Sequence, residues 1–296
     1  MNGVLVVYKE AGVTSFKVVA VIRRLTGEKK VGHTGTLDPD ACGILPVCVG
    51  KATKLVDQLT DTDKEYKAVM QLGIKTDTQD MTGNILEQIP YEDFIGKIDQ
   101  KAVDAAFEKL TGKIMQIPPM YSALKVNGVK LVNAARKGKQ IERDAREVTV
   151  YGYKNLIFNP EDATISFTVS CSKGTYVRTI CEDAGEILGV PACLKNLERT
   201  RTAGFTKDKA FTLPEVKELA QKGLLEEALI PIDAMLPDHR KIYVNEGSQR
   251  LIDNGCLLEI RNFEEDPQPG SGERFKVYDC TGRFCASDGR EVRRLP

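Results

Sequence analysis

Apolar and polar positions along this chain fall into blocks that switch between a two-residue and a 3.6-residue repeat. Residues 3–8 form a short apolar run ended by the turn Lys9-Glu10-Ala11-Gly12, which predicts a strand. Val18, Val19, Ile22 and Leu25 then recur at helical spacing, with Thr14 or Ser15 as the capping residue and Gly27 as the stop. Residues 43–50 are again apolar and short enough for a buried strand, although Pro46 is out of place in a central ladder. Residues 52–59 predict a short helix. Residues 65–74 predict a strand with Tyr66, Ala68, Met70 and Leu72 on one face. An amphipathic helix is expected over 99–110, where Val103, Ala106, Phe107 and Leu110 share a side.

Strands at 147–158 and 163–171 lead to the turn Ser172-Lys173-Gly174-Thr175. The helix that follows carries the stripe Val177, Ile180, Cys181, Ala184 and Leu188, with Tyr176 and Arg178 off it. Thr212-Leu213-Pro214-Glu215 is a capping box for a further helix. Beyond Pro237, short strands at 257–260, 275–279 and 283–286 surround a Pro/Gly/Glu loop at 264–273. Interspersed strands and helices of this kind predict an α+β fold. A large domain over 1–236 and a small β-domain over 237–296 are the natural division of 296 residues.

Composition narrows the class. No apolar run reaches the length of a membrane span, and the first residues do not resemble a signal peptide. Eight cysteines without paired motifs, several in apolar segments, point to reduced, buried thiols and a cytoplasmic location. The 42 basic and 42 acidic residues cancel, but unevenly. Residues 1–54 carry eight Lys/Arg against four Asp/Glu, and residues 121–147 carry seven against three. Local basic faces of this kind, and not the total, set the attraction for phosphate. The basic stretch around 124–147 has few large apolar residues and two glycine breaks, so it is expected to project and to suit RNA phosphate.

Candidate chemistry concentrates in residues 32–54, GHTGTLDPDACGILPVCVGKATK. A glycine- and proline-punctuated loop bearing His33, Thr34, Thr36, Asp38 and Asp40 is followed directly by an apolar strand, and loops on rigid supports are where catalytic groups tend to sit. A phosphate-cradling P-loop is excluded, because Leu45 and Ala52 stand where glycine and a hydroxyl are required. A metal site is not expected either, since the chain has only His33 and His239 and no C-x-x-C pair. Asp38, in a tight Leu-Asp-Pro corner, remains the candidate; the plain alternative is a turn-capping carboxylate.

The whole string resembles the signature of the TruB family of tRNA pseudouridine synthases, whose GHxGTLDP loop carries the catalytic aspartate. Further segments are similar to that family: KEYKAVMQLGIKTDTQDMTG, PPMYSALKVNG, CSKGTYVRTICEDAGEILG and LKNLERTRTAGF. Glu10 departs from the family's Lys-Pro pattern, and Glu198 stands where the family often has arginine. The C-terminal residues resemble, less specifically, a PUA-like β-domain.

The resemblance implies a mixed-sheet pseudouridine synthase domain that isomerises uridine 55 in the T-loop of tRNA, with no metal or soluble cofactor. It implies Asp38 as the catalytic aspartate, Arg178 as its ion-pair partner, and Tyr66 as the residue that stacks on the uracil and accepts a proton. His33 would fill the stack vacated by the flipped base. Tyr176 and Leu197 would line the pocket, while Asp77 and Lys9 would contact substrate. A monomer acting on the T-stem-loop without guide RNA or protein partner is expected. The competing possibilities are a non-catalytic RNA-binding protein of the same fold and a guide-dependent relative of the family.

Overall fold

Val4, Leu5, Val6 and Val7 are almost wholly inaccessible. The strand Gly3–Lys9 (β1) is therefore buried on both faces, as its unbroken apolar run requires. In the computed structural model, which describes residues 1–126, 128–254, 256, 258–265 and 275–288, β1 belongs to a large mixed sheet. The other strands of that sheet are Val31–His33 (β2), Cys42–Val49 (β3), Lys64–Leu72 (β4), Gly112–Gln116 (β5), Arg146–Asn159 (β6), Thr164–Cys171 (β7), Ala192–Thr202 (β8) and Phe211–Thr212 (β9). Their order is β9-β1-β3-β8-β4-β7-β6-β5, with β2 also paired to β3. The pairs β9/β1 and β3/β8 are parallel and the rest antiparallel.

Pro46 is tolerated in β3 for a geometric reason. In an extended strand the N–H and C=O of one residue point to the same edge, and the Pro46 carbonyl accepts from the Thr34 N–H at 3.1 Å. On that edge β3 pairs with β2 at Val47–Val49 and with β8 at Cys42 and Gly43, leaving Pro46 between the two. Its missing donor therefore falls in a gap in the ladder.

Helices pack on this sheet by the predicted stripes. Ser15–Thr26 (α1) is capped by Thr14, whose hydroxyl accepts from the Lys17 N–H at 3.1 Å, and stops at Gly27 with φ 68°. Gln100–Lys109 (α2) begins at the Asp99 cap and buries Val103, Ala106 and Phe107. Phe107, Tyr153 and Phe167 meet edge to face there, with ring centroids 4.9 to 5.7 Å apart. Val177–Leu188 (α3) buries Val177, Ile180, Cys181 and Ala184, and Leu213–Gln221 (α4) opens with the expected capping box. The helix expected over 52–59 is split into a 3-10 segment, Gly50–Leu55, and one α-turn, Val56–Thr60, which still bury Ala52, Leu55 and Leu59.

Contacts divide the chain after Leu229. The second unit, from Ile230, has a three-stranded sheet among its described residues. Arg240–Tyr243 (β10) runs parallel to Phe275–Tyr278 (β11), which pairs antiparallel with Phe284–Asp288 (β12). Ile242, Val244, Phe263, Phe275 and Val277 form its core. The strand expected at 257–260 differs. Leu257 lies outside the described residues, and Ile260–Asn262 is a 3-10 turn. The place beside β11 is taken by β10 instead. Residues 266–273 of the expected loop also lie outside the described residues.

The approach of β8 to β3 leaves no room for a side chain at Gly43. A Cβ there would lie 2.2 Å from the Arg199 carbonyl oxygen, and φ is +115°. Gly43→Ala should lower stability by at least about 2 kcal/mol, seen as a lower urea midpoint, because clash and backbone strain add. An unchanged midpoint would contradict this packing.

Candidate active site

Residues 34–41 leave β2 as a loop and return as β3, and the protein grips this loop at three depths. Arg199 Nη2 donates to the Gly35 carbonyl at 3.2 Å. The Ser15 hydroxyl, at the start of α1, donates to the Leu37 carbonyl at 3.1 Å and accepts from the Leu37 N–H at 2.9 Å. Lys9, wholly buried at the end of β1, donates to the Pro39 carbonyl at 2.9 Å as well as to the carbonyls of Glu10 and Val13. Asp38 stands between the last two anchors, so its backbone position is fixed before any substrate arrives.

Its side chain meets Arg178 from the first turn of α3. Arg178 Nε lies 3.1 Å from Asp38 Oδ2 and Nη2 donates to Oδ1 at 3.3 Å, a two-pronged ion pair. The remaining guanidinium protons are also used. Nη1 donates to the Thr78 carbonyl at 2.8 Å and lies 3.5 Å from Asp80 Oδ2, while Nη2 donates to the Tyr121 carbonyl at 2.9 Å. Arg178 is only 4% exposed, whereas its position off the apolar stripe of α3 suggested a surface residue. The burial is possible because two carboxylates and two carbonyls replace its water. Burial raises the Asp38 pKa above its ordinary value, more than Arg178 lowers it.

Tyr66 lies on β4 and is almost fully buried. Burial raises the pKa of its hydroxyl, and Arg199, its cross-strand partner on β8, acts in the opposite direction. His33 ends β2; its Nδ1 is enclosed without a hydrogen-bond partner, and burial together with Arg199 lowers its pKa, which favours the neutral ring. Tyr176 is fastened through its backbone, with Gln116 accepting from its N–H at 3.0 Å and donating to its carbonyl at 3.2 Å. Leu197, half-buried on β8, is the register partner of Ala68.

Two expected substrate contacts are placed elsewhere by the structure. Asp77 accepts from the N–H and the side-chain amide of Asn84 at 2.8 and 3.0 Å, so it closes its own hairpin turn. Asp80 is the acid of that turn which reaches Arg178. Lys9 points into the protein and gives its ammonium protons to three carbonyls, so it supports the loop from behind.

Arg199 was the other residue that sequence reasoning missed. Attention fell on Glu198, which turns to the opposite face and accepts from the Tyr8 hydroxyl at 3.0 Å. The signal was available: Arg199 lies two residues beyond Leu197 on a strand, hence on the same face. Above the site, the basic segment is a folded element. Its hairpin, Lys125–Val126 with Val129–Lys130, and the helix Leu131–Ala135 close over a small core of Met120, Leu131 and Ala134. Arg136, Lys137 and Lys139 are exposed.

Two family models match the chain consecutively. Residues 23–177 match the TruB family pseudouridylate synthase N-terminal domain, and residues 178–237 match the tRNA pseudouridylate synthase B C-terminal domain. The tRNA pseudouridine synthase B of Bacillus subtilis strain 168 is 43% identical over 289 residues, covering 97% of this chain and 92% of that protein. Its counterpart in Clostridium perfringens strain ATCC 13124 is 41% identical over 292 residues, covering 98% and 96%. The chain belongs to the TruB family. Among solved structures, a chain of a Cbf5-Nop10-Gar1 complex superposes on this TruB-family chain with a TM-score of 0.64 at 25% identity, covering 95% of this chain and 76% of that one.

The geometry makes Lys9 separable from a surface contact. Lys9→Met should destabilise the fold by about 1–3 kcal/mol for each carbonyl left without a donor, read by chemical denaturation. A phosphate-contacting lysine would behave differently: stability would hold, and the salt slope of RNA binding would fall by about one.

Proposed function

We propose that the Asp38–Arg178 site performs the reaction for which the bacterial relatives are named. The chain is a tRNA pseudouridine synthase that isomerises uridine 55 in the T-loop. The observation that carries the residue assignment is the two-pronged ion pair, with Nε–Oδ2 at 3.1 Å, between a buried arginine and a loop aspartate held at three points. A binding module has no need of a carboxylate kept charged and aimed in this way.

The reaction breaks the C1′–N1 bond, turns the uracil and forms a C1′–C5 bond; C5 loses a proton and N1 gains one. Atoms and oxidation state balance within the nucleotide, so the chemistry calls for no redox partner or metal. Asp38 supplies the carboxylate that attacks C1′ or otherwise assists its separation from N1. Arg178 keeps that carboxylate ionised and oriented as the bound nucleotide displaces water from it. Tyr66 stacks on the uracil and accepts a proton, Tyr176 and Leu197 line the pocket, and the neutral ring of His33 occupies the gap left by the flipped base. Lys9 supports the site from within the protein, and Asp77 closes the hairpin turn that carries Asp80.

The exposed Arg136, Lys137 and Lys139 supply a phosphate-contacting face for the T-stem. We infer a monomeric enzyme that finds tRNA unaided in the cytoplasm; what supports action on tRNA is the 41–43% identity, over 97–98% of this chain, to proteins named tRNA pseudouridine synthase B. The Cbf5 chain, by contrast, is matched over only 76% of its length.

Asp38→Asn should leave tRNA affinity within a few-fold and abolish pseudouridine formation, because the side chain keeps its size and loses its charge. In the unaltered enzyme, the single-turnover rate should fall as pH drops through the raised pKa of Asp38. The acid limb should therefore have its midpoint above the ordinary value of 3.8. Near-normal turnover by Asp38→Asn would remove Asp38 from the mechanism.

A further inference from the structure

Arg199 is 1% exposed, yet no carboxylate is ion-paired with it among the described residues. Its fixed partners are neutral: Nε donates to the Ile44 carbonyl at 2.8 Å and Nη2 to the Gly35 carbonyl at 3.2 Å. Arg178, by contrast, has two carboxylates against it. A guanidinium held by neutral partners, with no carboxylate against it, has its charge uncompensated inside a medium that screens poorly. That field reaches the pocket. It lowers the pKa of His33 and opposes the rise that burial imposes on Tyr66. Arg199 and Tyr66 are direct cross-strand partners, and the Cβ direction of Gly35 ends 3.7 Å from Arg199 Nη1. One side chain thus touches the loop that carries Asp38 and lies across the strand pair from Tyr66.

Packing alone gives no reason for a charge here, since buried ion groups can often be replaced by apolar ones of similar volume without loss of stability. We infer that Arg199 is a positioning residue for the isomerisation, anchoring Gly35 and holding Tyr66 in a positive field that stabilises its phenolate, the form able to take up a proton. It acts through Tyr66 and through the loop, without touching the reacting atoms. The inference rests on Tyr66 being the proton acceptor. Arg199→Lys keeps the field and loses the planar fork that reaches both carbonyls; Arg199→Met loses both.

The test compares Arg199→Met, Arg199→Lys, Tyr66→Phe and the Arg199→Met/Tyr66→Phe double variant. Single-turnover rates are measured on saturating, unmodified tRNA transcript across a range of pH, with tRNA affinity and thermal melting recorded alongside. Arg199→Met should bind tRNA within a few-fold, react roughly 10²-fold more slowly, and need a higher pH to reach its own maximal rate. Its effect should shrink to a few-fold when Tyr66 is already Phe, because the two side chains act as a unit. Arg199→Lys should be slower by several-fold and keep the pH profile of the unaltered enzyme; should Arg199→Met not fold, a displaced profile in Arg199→Lys overturns the proposal. Equal losses from Arg199→Met in both backgrounds, or an unmoved pH profile, would also overturn it. Full activity of Tyr66→Phe would end the assignment of Tyr66 and this proposal with it. A slow Tyr66→Phe with additive Arg199→Met ends this proposal alone.

Discussion

A guanidinium taken out of water must find replacements for every hydrogen bond it loses, and in this protein Arg178 finds them on three segments distant in sequence. Asp38 comes from the loop after β2, Asp80 and the Thr78 carbonyl from the hairpin after β4, and the Tyr121 carbonyl from the passage before the basic segment. The site exists only when these segments have converged, so the ion pair reports the integrity of the domain as well as the state of its carboxylate. Removing Arg178 would leave the Asp38 and Asp80 carboxylates facing each other without their shared cation, whereas loss of the Asp38 charge still leaves Arg178 its contact with Asp80.

The rest of the architecture serves to hold the other end of that pair. Asp38 sits on an irregular loop, and a loop by itself positions a side chain poorly. Here Ser15, Lys9 and Arg199 reach it from α1, β1 and β8, and each binds backbone carbonyls of the loop. Two of the three are buried cations that make no contact with solvent. The strands supply the stiffness: β1 and β3 are buried along nearly their whole length, and β8 meets β3 so closely at Gly43 that only glycine fits. Catalytic geometry therefore depends on sheet packing several residues from the chemistry.

Much of this was legible in the sequence. Amphipathic periods located α1, α2, α3 and β4 because each buries one face, and the caps Thr14 and Thr212 mark real helix starts. The motif strings named Asp38 and Arg178, which the fold does bring together, and Tyr66, which it buries on β4 opposite Arg199. What stayed hidden depends on direction. Lys9 reads as a surface cation because lysine usually is one, and only the convergence of three carbonyls behind β1 turns it inward. Asp77 and Asp80 share one polar turn, and the hairpin pairing with Asn84 decides which of them faces Arg178. Arg199 was obscured by its neighbour Glu198, although strand alternation puts Arg199 on the face of Leu197. In the second unit, β10 was overlooked because its polar outer residues disguise a four-residue strand.

The central claim is that this chain alone carries a complete site for turning a tRNA uridine into pseudouridine. The direct measurement is to incubate the purified protein, without guide RNA, partner protein or any additive, with an unmodified tRNA transcript and to map pseudouridine at single-nucleotide resolution. Conversion confined to uridine 55 is the predicted result. An unmodified T-loop after prolonged incubation with folded, tRNA-bound protein would contradict the account.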